Sequence, residues 1–324
     1  MRILVTEKIP GKGIELLSAR HSVTVGQRGE FDHEARLVDV IPSYDALLSL
    51  LSNPVTEKVL EAGKKLRIVS NYAVGFNNID VEAAKKRGVL VSNTPDVLTE
   101  ATADCAFVLL LNAARHTRAA EDNLRSGNFE GWDPFGFLGH ELYGKKTGIV
   151  GMGRIGRAFA RRALGFGMNI LYHDVRRLKP ETEKKFQATW VESMDKLVKE
   201  CDFLSLHCPL TPETRHLINK KRLGMMKSSA ILINTSRGPV VDEAALAAAL
   251  LENRIAGAGL DVFEEEPVVH PDLLIAPNCV LLPHIASATH ETRGKMSVLA
   301  ASSILSHLDG KPADSIPNLV YQPD

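Results

Sequence analysis

A glycine-rich segment near the middle of the chain has the composition and spacing of a dinucleotide-binding turn. The sequence Gly-Met-Gly-Arg-Ile-Gly (151–156) follows a short apolar run and precedes a helical pattern. In that context Gly151 permits a tight strand-to-helix turn, Gly153 lets the backbone approach a pyrophosphate, and Gly156 lets the helix pack closely on the strand. The amide groups at the start of the helix would bind the anion. The segment therefore predicts a site for a dinucleotide cofactor.

An acidic residue follows about 20 residues after the last glycine, where recognition of a ribose is expected. It is Asp174, at the end of the next apolar run. Its carboxylate can accept hydrogen bonds from the ribose hydroxyls of NAD(H), and it would repel the 2′-phosphate of NADP(H). Arg176 and Arg177 come just afterwards, and an arginine here can accommodate that phosphate. The sequence predicts NAD(H) as the preferred cofactor and NADP(H) as an alternative.

The elements that must position these residues are short apolar runs that alternate with helical patterns. This alternation predicts two α/β domains, each a doubly wound parallel sheet covered by helices on both faces. Between the two series of strands, Thr99 to about Glu121 predicts one long, mostly buried helix, and Gly127–Gly144 predicts a loop. A final helix is predicted over Thr289–Leu308. The candidate strands are Arg2–Val5, Ser22–Val25, Ala46–Leu51, Leu66–Ser70 and Val89–Ser92, then Lys146–Val150, Asn169–Asp174, Phe203–Cys208, Ala230–Asn234, Gly259–Phe263 and Val280–Pro283.

The composition of the 324-residue chain excludes several classes of protein. Lysine plus arginine and aspartate plus glutamate both total 39, so no basic excess is available to bind a nucleic acid. The apolar run at the start of the chain is too short for a signal peptide, and no apolar run elsewhere is long enough to span a membrane. None of the 4 cysteines forms a C-x-x-C pair, so we expect free thiols, no metal site and a cytoplasmic location.

Further motifs follow the glycine segment in a fixed order. Together they make the chain resemble the D-isomer-specific 2-hydroxyacid dehydrogenases, and most closely the glyoxylate/hydroxypyruvate reductase branch. The resemblance covers nearly the whole length. The motifs are His207-Cys-Pro-Leu-Thr-Pro-Glu-Thr214, Ile233-Asn-Thr-Ser-Arg237-Gly-Pro-Val-Val-Asp-Glu, Gly259-Leu-Asp-Val-Phe-Glu-Glu-Glu266-Pro and Leu282-Pro-His284-Ile-Ala-Ser287.

The family's domain organisation is implied by the same resemblance. A Rossmann cofactor domain, residues 99–287, would be inserted into a flavodoxin-like substrate-binding domain formed by residues 1–98 and 288–324. The two would close on the substrate and exclude water from the reaction. Family members are dimers built through the long helix and the following loop, here Thr99–Glu121 and the region of Trp132, so a homodimer is expected.

The resemblance assigns the catalytic roles to Arg237, Glu266 and His284, and their chemistry suits the reduction of a 2-oxo acid. That reaction needs an anchor for the carboxylate, a hydride donor and an acid for the carbonyl oxygen. Arg237 follows a candidate strand, and its planar guanidinium can clamp a carboxylate while it polarises the neighbouring carbonyl. An imidazole changes its charge near neutral pH, so His284 suits the acid. Glu266 would hold the proton on one ring nitrogen and favour the imidazolium.

Contacts to substrate and cofactor are implied at further positions. The backbone amides of Val74 and Gly75 would bind the substrate carboxylate, and Ser287 would bind the substrate beside His284. Asn77 stands where relatives often have an aspartate. Asp261 would receive the nicotinamide carboxamide. The remaining cofactor contacts would be Thr102, Gly151, Met152, Gly153, Arg154, Ile155, Gly156, Asp174, Arg176, Cys208, Pro209, Thr214, Thr235 and Ser236.

Two other functions stay open at this point. One is a D-3-phosphoglycerate dehydrogenase-like enzyme. The chain stops at Asp324 without the regulatory extension that many such enzymes carry, although short forms exist. The other is an NAD(H)-sensing corepressor or binding module, because the same fold carries several functions and some corepressors keep the catalytic trio. No long extension for partner binding is seen, which favours the enzyme with a small 2-oxo or 2-hydroxy acid as substrate.

Overall fold

The computed structural model describes residues 1–321, which form two compact units. One unit is Met1–Leu98 together with the chain from Ala288 onward, and the other is Thr99–Ser287. Each unit contains one sheet in which all strand pairs are parallel. The predicted fold class, two doubly wound parallel-sheet α/β domains, is confirmed.

The regular elements are numbered along the chain. The strands are β1 (Arg2–Val5), β2 (Ser22–Val25), β3 (Ala46–Ser49), β4 (Ile68–Asn71), β5 (Leu90–Ser92), β6 (Lys146–Val150), β7 (Asn169–His173), β8 (Ala188–Trp190), β9 (Phe203–Leu206), β10 (Ile231–Asn234), β11 (Gly257–Leu260) and β12 (Cys279–Leu281). The helices are α1 (Gly13–Ser18), α2 (Glu34–Val40), α3 (Glu57–Ala62), α4 (Val81–Lys86), α5 (Thr99–Ala114), α6 (Thr117–Arg125), α7 (Arg154–Gly165), α8 (Pro180–Phe186), α9 (Met194–Glu200), α10 (Lys220–Met225), α11 (Glu243–Leu251), α12 (Pro271–Ile275) and α13 (His290–Leu308).

The first unit has a five-stranded sheet in the order β2-β1-β3-β4-β5. This is the order of flavodoxin-like folds. The central strands β3 and β4 are buried along their whole length, because helices cover both faces of a parallel sheet and leave no strand face for water. The carboxyl ends of β3 and β4 bear polar residues, among them Ser49 and Asn71, which are fully buried.

The second unit has a seven-stranded sheet in the order β12-β11-β10-β9-β6-β7-β8. The chain runs outward from β6 to β8 and then returns to the other side of β6 at β9. In doubly wound sheets, ligands bind outside the carboxyl ends of the strands at such a reversal. The glycine segment lies directly between β6 and α7, so the topology puts it at this point.

The predicted single helix over Thr99–Glu121 is wrong, because the structure divides it into α5 and α6. His116 adopts a φ of 50° between them, a conformation that ends a right-handed helix. The carbonyl of Ala114 accepts a hydrogen bond from the amide of His140, at 2.7 Å. In a continuous helix the carbonyl of Ala114 would accept the amide of the residue four positions later. Here it accepts the amide of His140 in the loop instead.

Two short elements were also absent from the prediction. The second series has seven strands rather than six, because the edge strand β8 was missed. With only three residues, Ala-Thr-Trp, it has no long apolar run that could distinguish it from the charged helix before it. The helix α2 was missed as well, and several strand ends differ by one to three residues. No helix within residues 1–321 is long and apolar enough to cross a membrane.

Candidate active site

The glycine segment has two positions that only glycine fits, one for its backbone conformation and the other for lack of space. Gly151 has a φ of 89°, and a Cβ added there would lie 2.8 Å from the amide nitrogen of Cys208. A Cβ at Gly156 would lie 2.1 Å from the carbonyl oxygen of Gly151, so the helix meets the turn in direct contact. At Gly153 a Cβ would meet nothing within 4 Å, and this part of the backbone is open to a ligand. The turn fits a dinucleotide pyrophosphate.

Asp174 follows β7, and both of its carboxylate oxygens accept backbone hydrogen bonds. One takes the amide of Met152 in the glycine turn at 2.7 Å, and the other takes the amide of Arg176 at 3.2 Å. These bonds hold the carboxylate beside the turn, where a ribose would be recognised.

The two arginines that follow Asp174 differ in their surroundings. The Arg177 guanidinium bonds to both carboxylate oxygens of Glu183, at 2.9 and 3.0 Å, and lies over the ring of Trp190. The side chain of Arg176 is exposed. Only Arg176 is therefore in a position to reorient toward a 2′-phosphate without breaking an ion pair.

Arg237 lies in the turn after β10, and Asn234 closes that turn. The Asn234 carboxamide donates to the carbonyl of Arg237 at 2.9 Å and accepts from the amide and hydroxyl of Ser236. Burial lowers the pKa of Arg237, and the charge of Glu266 opposes this effect. A guanidinium never loses its proton in proteins, so Arg237 is a half-buried cation.

Glu266 and His284 form an ion pair in which Oε2 of the glutamate lies 2.8 Å from Nδ1 of the histidine. The other carboxylate oxygen accepts the amide of Phe263 at 3.1 Å. Burial raises the pKa of Glu266, but the bond and charge of His284, the Phe263 amide and the charge of Arg237 together lower it below its ordinary value. With Nδ1 engaged, Nε2 is the ring nitrogen that remains to give a proton to a substrate.

Asp261 fixes the backbone around His284. One of its carboxylate oxygens accepts the amide of Ile285 at 2.7 Å, and the other accepts the amide of Ala286 at 2.8 Å. His284 itself has a φ of 53° and donates its amide to the carbonyl of Asp261. Strained conformations of this kind persist only where the surroundings hold them. Both oxygens of Asp261 thus hold the loop that follows His284, and its contact with a nicotinamide stays a prediction.

A pair of glutamates that sequence reasoning missed joins the start of α11, which follows the Arg237 turn, to the loop of Glu266. The Glu264 carboxylate accepts the amide of Glu243 at 2.8 Å, and the Glu243 carboxylate accepts the amide of Glu264 at 2.6 Å. The backbone of Gly238 lies so close that a Cβ there would overlap the carbonyl of Phe263, at 1.9 Å. The acidic run at 264–266 was the only signal in the sequence, and it suits a solvated surface equally well.

The other predicted contact residues of this unit surround the same strand ends. The Thr235 hydroxyl is buried and has no hydrogen-bond partner within residues 1–321, which suits a group that meets a cofactor. The Thr214 hydroxyl donates to the carbonyl of Pro209 at 2.7 Å, which closes the loop after β9. Cys208 is buried, and burial raises the pKa of its thiol to about 11. Thr102 is buried on α5.

Val74 and Gly75 lie in the first unit, in the loop after β4. Arg237, Glu266, His284 and Ser287 belong to the second. Within the described chain, no group of three or more histidine, cysteine or acidic residues could hold a metal ion.

Comparisons with known proteins agree with this geometry. Residues 107–286 match the family model of the D-isomer specific 2-hydroxyacid dehydrogenase NAD-binding domain. A glyoxylate reductase of Thermococcus litoralis is 48% identical over 323 residues, which cover 98% of this chain and 96% of the relative.

Solved structures are also similar over nearly the full length. A protein of Thermus thermophilus superposes with a TM-score of 0.92 at 41% identity and covers 99% of this chain and 100% of its own. An NADPH-dependent glyoxylate/hydroxypyruvate reductase of Sinorhizobium meliloti, in complex with NADP and malonate, gives 0.88 at 36% identity and covers 98% and 96%. The resemblance carried by the motifs is confirmed: the chain belongs to the D-isomer-specific 2-hydroxyacid dehydrogenases and is an NAD(P)-dependent enzyme of that family.

Proposed function

We propose that this chain reduces glyoxylate, hydroxypyruvate or a similarly small 2-oxo acid to the D-2-hydroxy acid. The observation that carries the proposal is the paired Glu266 and His284, 2.8 Å apart, in the same unit as the half-buried cation of Arg237. Relatives named for glyoxylate reduction match nearly the whole chain. A bound nicotinamide would supply the hydride.

Arg237 binds the substrate carboxylate and polarises the adjacent carbonyl. Its burial strengthens both interactions, because a charge acts more strongly in a medium of low polarity than in water. The turn that Asn234 closes keeps the guanidinium in place. In the first unit, the amides of Val74 and Gly75 would bind a substrate carboxylate, and in the second, Ser287 would contribute a hydrogen bond beside His284.

His284 gives its proton to the carbonyl oxygen as that oxygen becomes an alkoxide. Glu266 keeps Nδ1 protonated, so that Nε2 carries the proton that moves. Asp261 accepts the backbone amides of Ile285 and Ala286, and these bonds keep the imidazole of His284 in position. Proton transfer and carboxylate binding thus depend on separate side chains.

The cofactor would be held by the glycine turn, by Asp174 at the ribose and by the buried hydroxyl of Thr235. We propose that NADH is preferred over NADPH, because Asp174 is fixed beside the turn by two backbone amides. Arg176 would give NADPH a measurable activity.

We also propose a homodimer and a cytoplasmic location. Trp132 and Phe135, in the loop between α6 and β6, are 87% and 80% exposed. Exposed aromatic groups of this size mark interaction surfaces. The 4 cysteines are free, which suits a reducing compartment. Sedimentation equilibrium of the chain, with Trp132→Ser as comparison, tests the dimer.

The proposed reaction is tested by NADH oxidation with glyoxylate, hydroxypyruvate, pyruvate and phosphohydroxypyruvate. We expect the first two to have the highest kcat/KM. A preference for phosphohydroxypyruvate would assign the chain to the phosphoglycerate branch. Tight NADH binding without turnover of any of these acids would favour a sensing or corepressor role.

A further inference from the structure

The loop after β4 has three successive carbonyl groups that are each held by a donor of the first unit. The carbonyl of Ala73 accepts the amide of Thr94 at 2.8 Å. The carbonyl of Val74 accepts the side-chain amide of Asn93 at 2.7 Å. The carbonyl of Gly75 accepts the side-chain amide of Asn71, also at 2.7 Å. Every carbonyl from 73 to 75 is therefore oriented by a hydrogen bond.

These bonds also orient the amide groups of the loop. In a planar trans peptide, the carbonyl of one residue and the N–H of the next point in opposite directions. The bond to Asn93 consequently sets the N–H of Gly75, and the bond to Asn71 sets the N–H of Phe76. No acceptor within residues 1–321 takes the N–H of Val74, Gly75 or Phe76. The loop thus presents consecutive amide donors, an arrangement that binds anions.

The two asparagines are themselves held in place. Asn71 is fully buried, and its carboxamide oxygen accepts the hydroxyl of Ser49 at 3.0 Å. Asn78 bonds to the Asn71 carboxamide and donates to the carbonyls of residues 50 and 53. The backbone amide of Asn93 donates to the carbonyl of Asn318 at 3.1 Å, which holds the backbone of Asn93. The bonds to Ser49 and Asn78 give the Asn71 carboxamide one orientation, with its NH₂ group toward the loop.

We propose that Asn93 and Asn71 are positioning residues that direct the Gly75 and Phe76 amides at the substrate carboxylate, so that Phe76 joins Val74 and Gly75 in the carboxylate-binding loop. The inference rests on the proposed function, in which this loop binds the 2-oxo acid. Neither asparagine touches the substrate. Their effect is on recognition of the carboxylate rather than on transfer of the proton.

The test is Asn93→Asp, which preserves the shape of the side chain and replaces its donor by an oxygen that repels the Val74 carbonyl. We expect the KM for glyoxylate to rise about 10- to 100-fold, the effect of one charge-assisted hydrogen bond. The kcat at saturation should change less than about threefold, and the KM for NADH should not change. Asn93→Ala, which adds no charge, should give the lower end of this range.

Asn169→Asp is the matched control. Asn169 likewise donates its carboxamide to a loop carbonyl, that of Gly144 at 2.8 Å, but in the other unit. It should leave the KM for glyoxylate unchanged. A fall in kcat without a rise in KM for Asn93→Asp, or an equal effect of Asn169→Asp, would overturn the inference.

A second measurement separates this inference from the proposed reaction. Oxalate, a dianion of the substrate's size, is titrated into labelled protein while the amide resonances of Gly75 and Phe76 are followed. We expect shifts in the wild type, and in Asn169→Asp, that are lost in Asn93→Asp. If the wild type turns over no 2-oxo acid but shows these shifts, the reaction fails and the positioning role stands. If the wild type reduces glyoxylate and the shifts persist in Asn93→Asp, the positioning role fails alone.

Discussion

The choice between NADH and NADPH depends on Asp174, and its replacement by serine is the sharpest perturbation of the cofactor site. The wild-type carboxylate accepts the amides of Met152 and Arg176, so it cannot turn away from a ribose phosphate at low cost. Asp174→Ser removes the negative charge and leaves Arg176 exposed beside the site. The variant should therefore prefer NADPH more than the wild type does.

The size of the shift follows from the charges. Two unit charges about 4 Å apart interact by about 1 kcal/mol in water and about 4 kcal/mol at an effective dielectric constant of about 20. Asp174 is half-buried, so about 1–3 kcal/mol is a reasonable range. This corresponds to about a 5- to 150-fold change in the ratio of the two kcat/KM values. Lost hydrogen bonds to the ribose hydroxyls of NADH would add about 1.5–3 kcal/mol to the change.

The assay is the ratio of kcat/KM for NADPH to that for NADH, at a fixed salt concentration and saturating glyoxylate. Asp174→Asn, which removes the charge but retains an acceptor for the Met152 amide, isolates the electrostatic part. Adding Arg176→Ala to Asp174→Ser should cancel most of the gain with NADPH. Arg177→Gln is the control, because that guanidinium is tied to Glu183. A wild type that already favours NADPH, or an unchanged ratio in Asp174→Ser, would refute the reasoning.

Other expected outcomes concern the catalytic trio. His284→Ala should lower kcat about 10²- to 10⁴-fold and leave the Kd of NADH nearly unchanged, as titration and steady-state kinetics will determine. Arg237→Lys should recover little of the activity lost in Arg237→Ala, because an ammonium lacks the two-pronged geometry; wild-type kinetics in the Lys variant would contradict this. The pKa of Glu266 is lowered in the folded protein. Its ionised carboxylate therefore stabilises the fold at pH values above the ordinary pKa of a carboxyl group. This contribution to the free energy of unfolding is lost as pH falls through the pKa that Glu266 has in the folded protein. Denaturant unfolding of Glu266→Gln should show a deficit in the free energy of unfolding at pH about 7 that fades below about 4.

Much of the fold could be predicted from local patterns of apolar residues and glycines in the sequence. Buried parallel strands must be short apolar runs, so β1 and β6 were predicted with the bounds that the structure has. The bounds of the exposed edge strand β2 were also predicted correctly, from its β-branched residues. The glycine segment was recognisable because its context, a strand before and a helix after, is itself a local property. The family's motifs added the proposed catalytic residues Arg237, Glu266 and His284, which no periodicity could have singled out.

The missed features depend on contacts between residues far apart in the chain. The helix α5 ends where the amide of His140 donates to the carbonyl of Ala114. No residue inside the helix indicates this end. The roles of Asn71 and Asn93 arise because β4 and β5 are neighbours in the sheet. An asparagine after a strand is ordinary turn chemistry until the loop that it supports is known.

The acidic run Glu264-Glu265-Glu266 illustrates the limit most clearly. Three identical side chains occupy three different environments. Glu264 accepts the amide of Glu243 and pairs with His216 at 2.9 Å, Glu265 is exposed, and Glu266 pairs with His284. Burial raises the pKa of Glu243, and the amides of Glu264 and His270 oppose this. A carboxylate that costs free energy to bury is retained where it fixes a loop. Here the pair of Glu243 and Glu264 joins the start of α11 to the loop that carries Glu266, so a glutamate two residues before Glu266 fixes the loop from which Glu266 contacts His284.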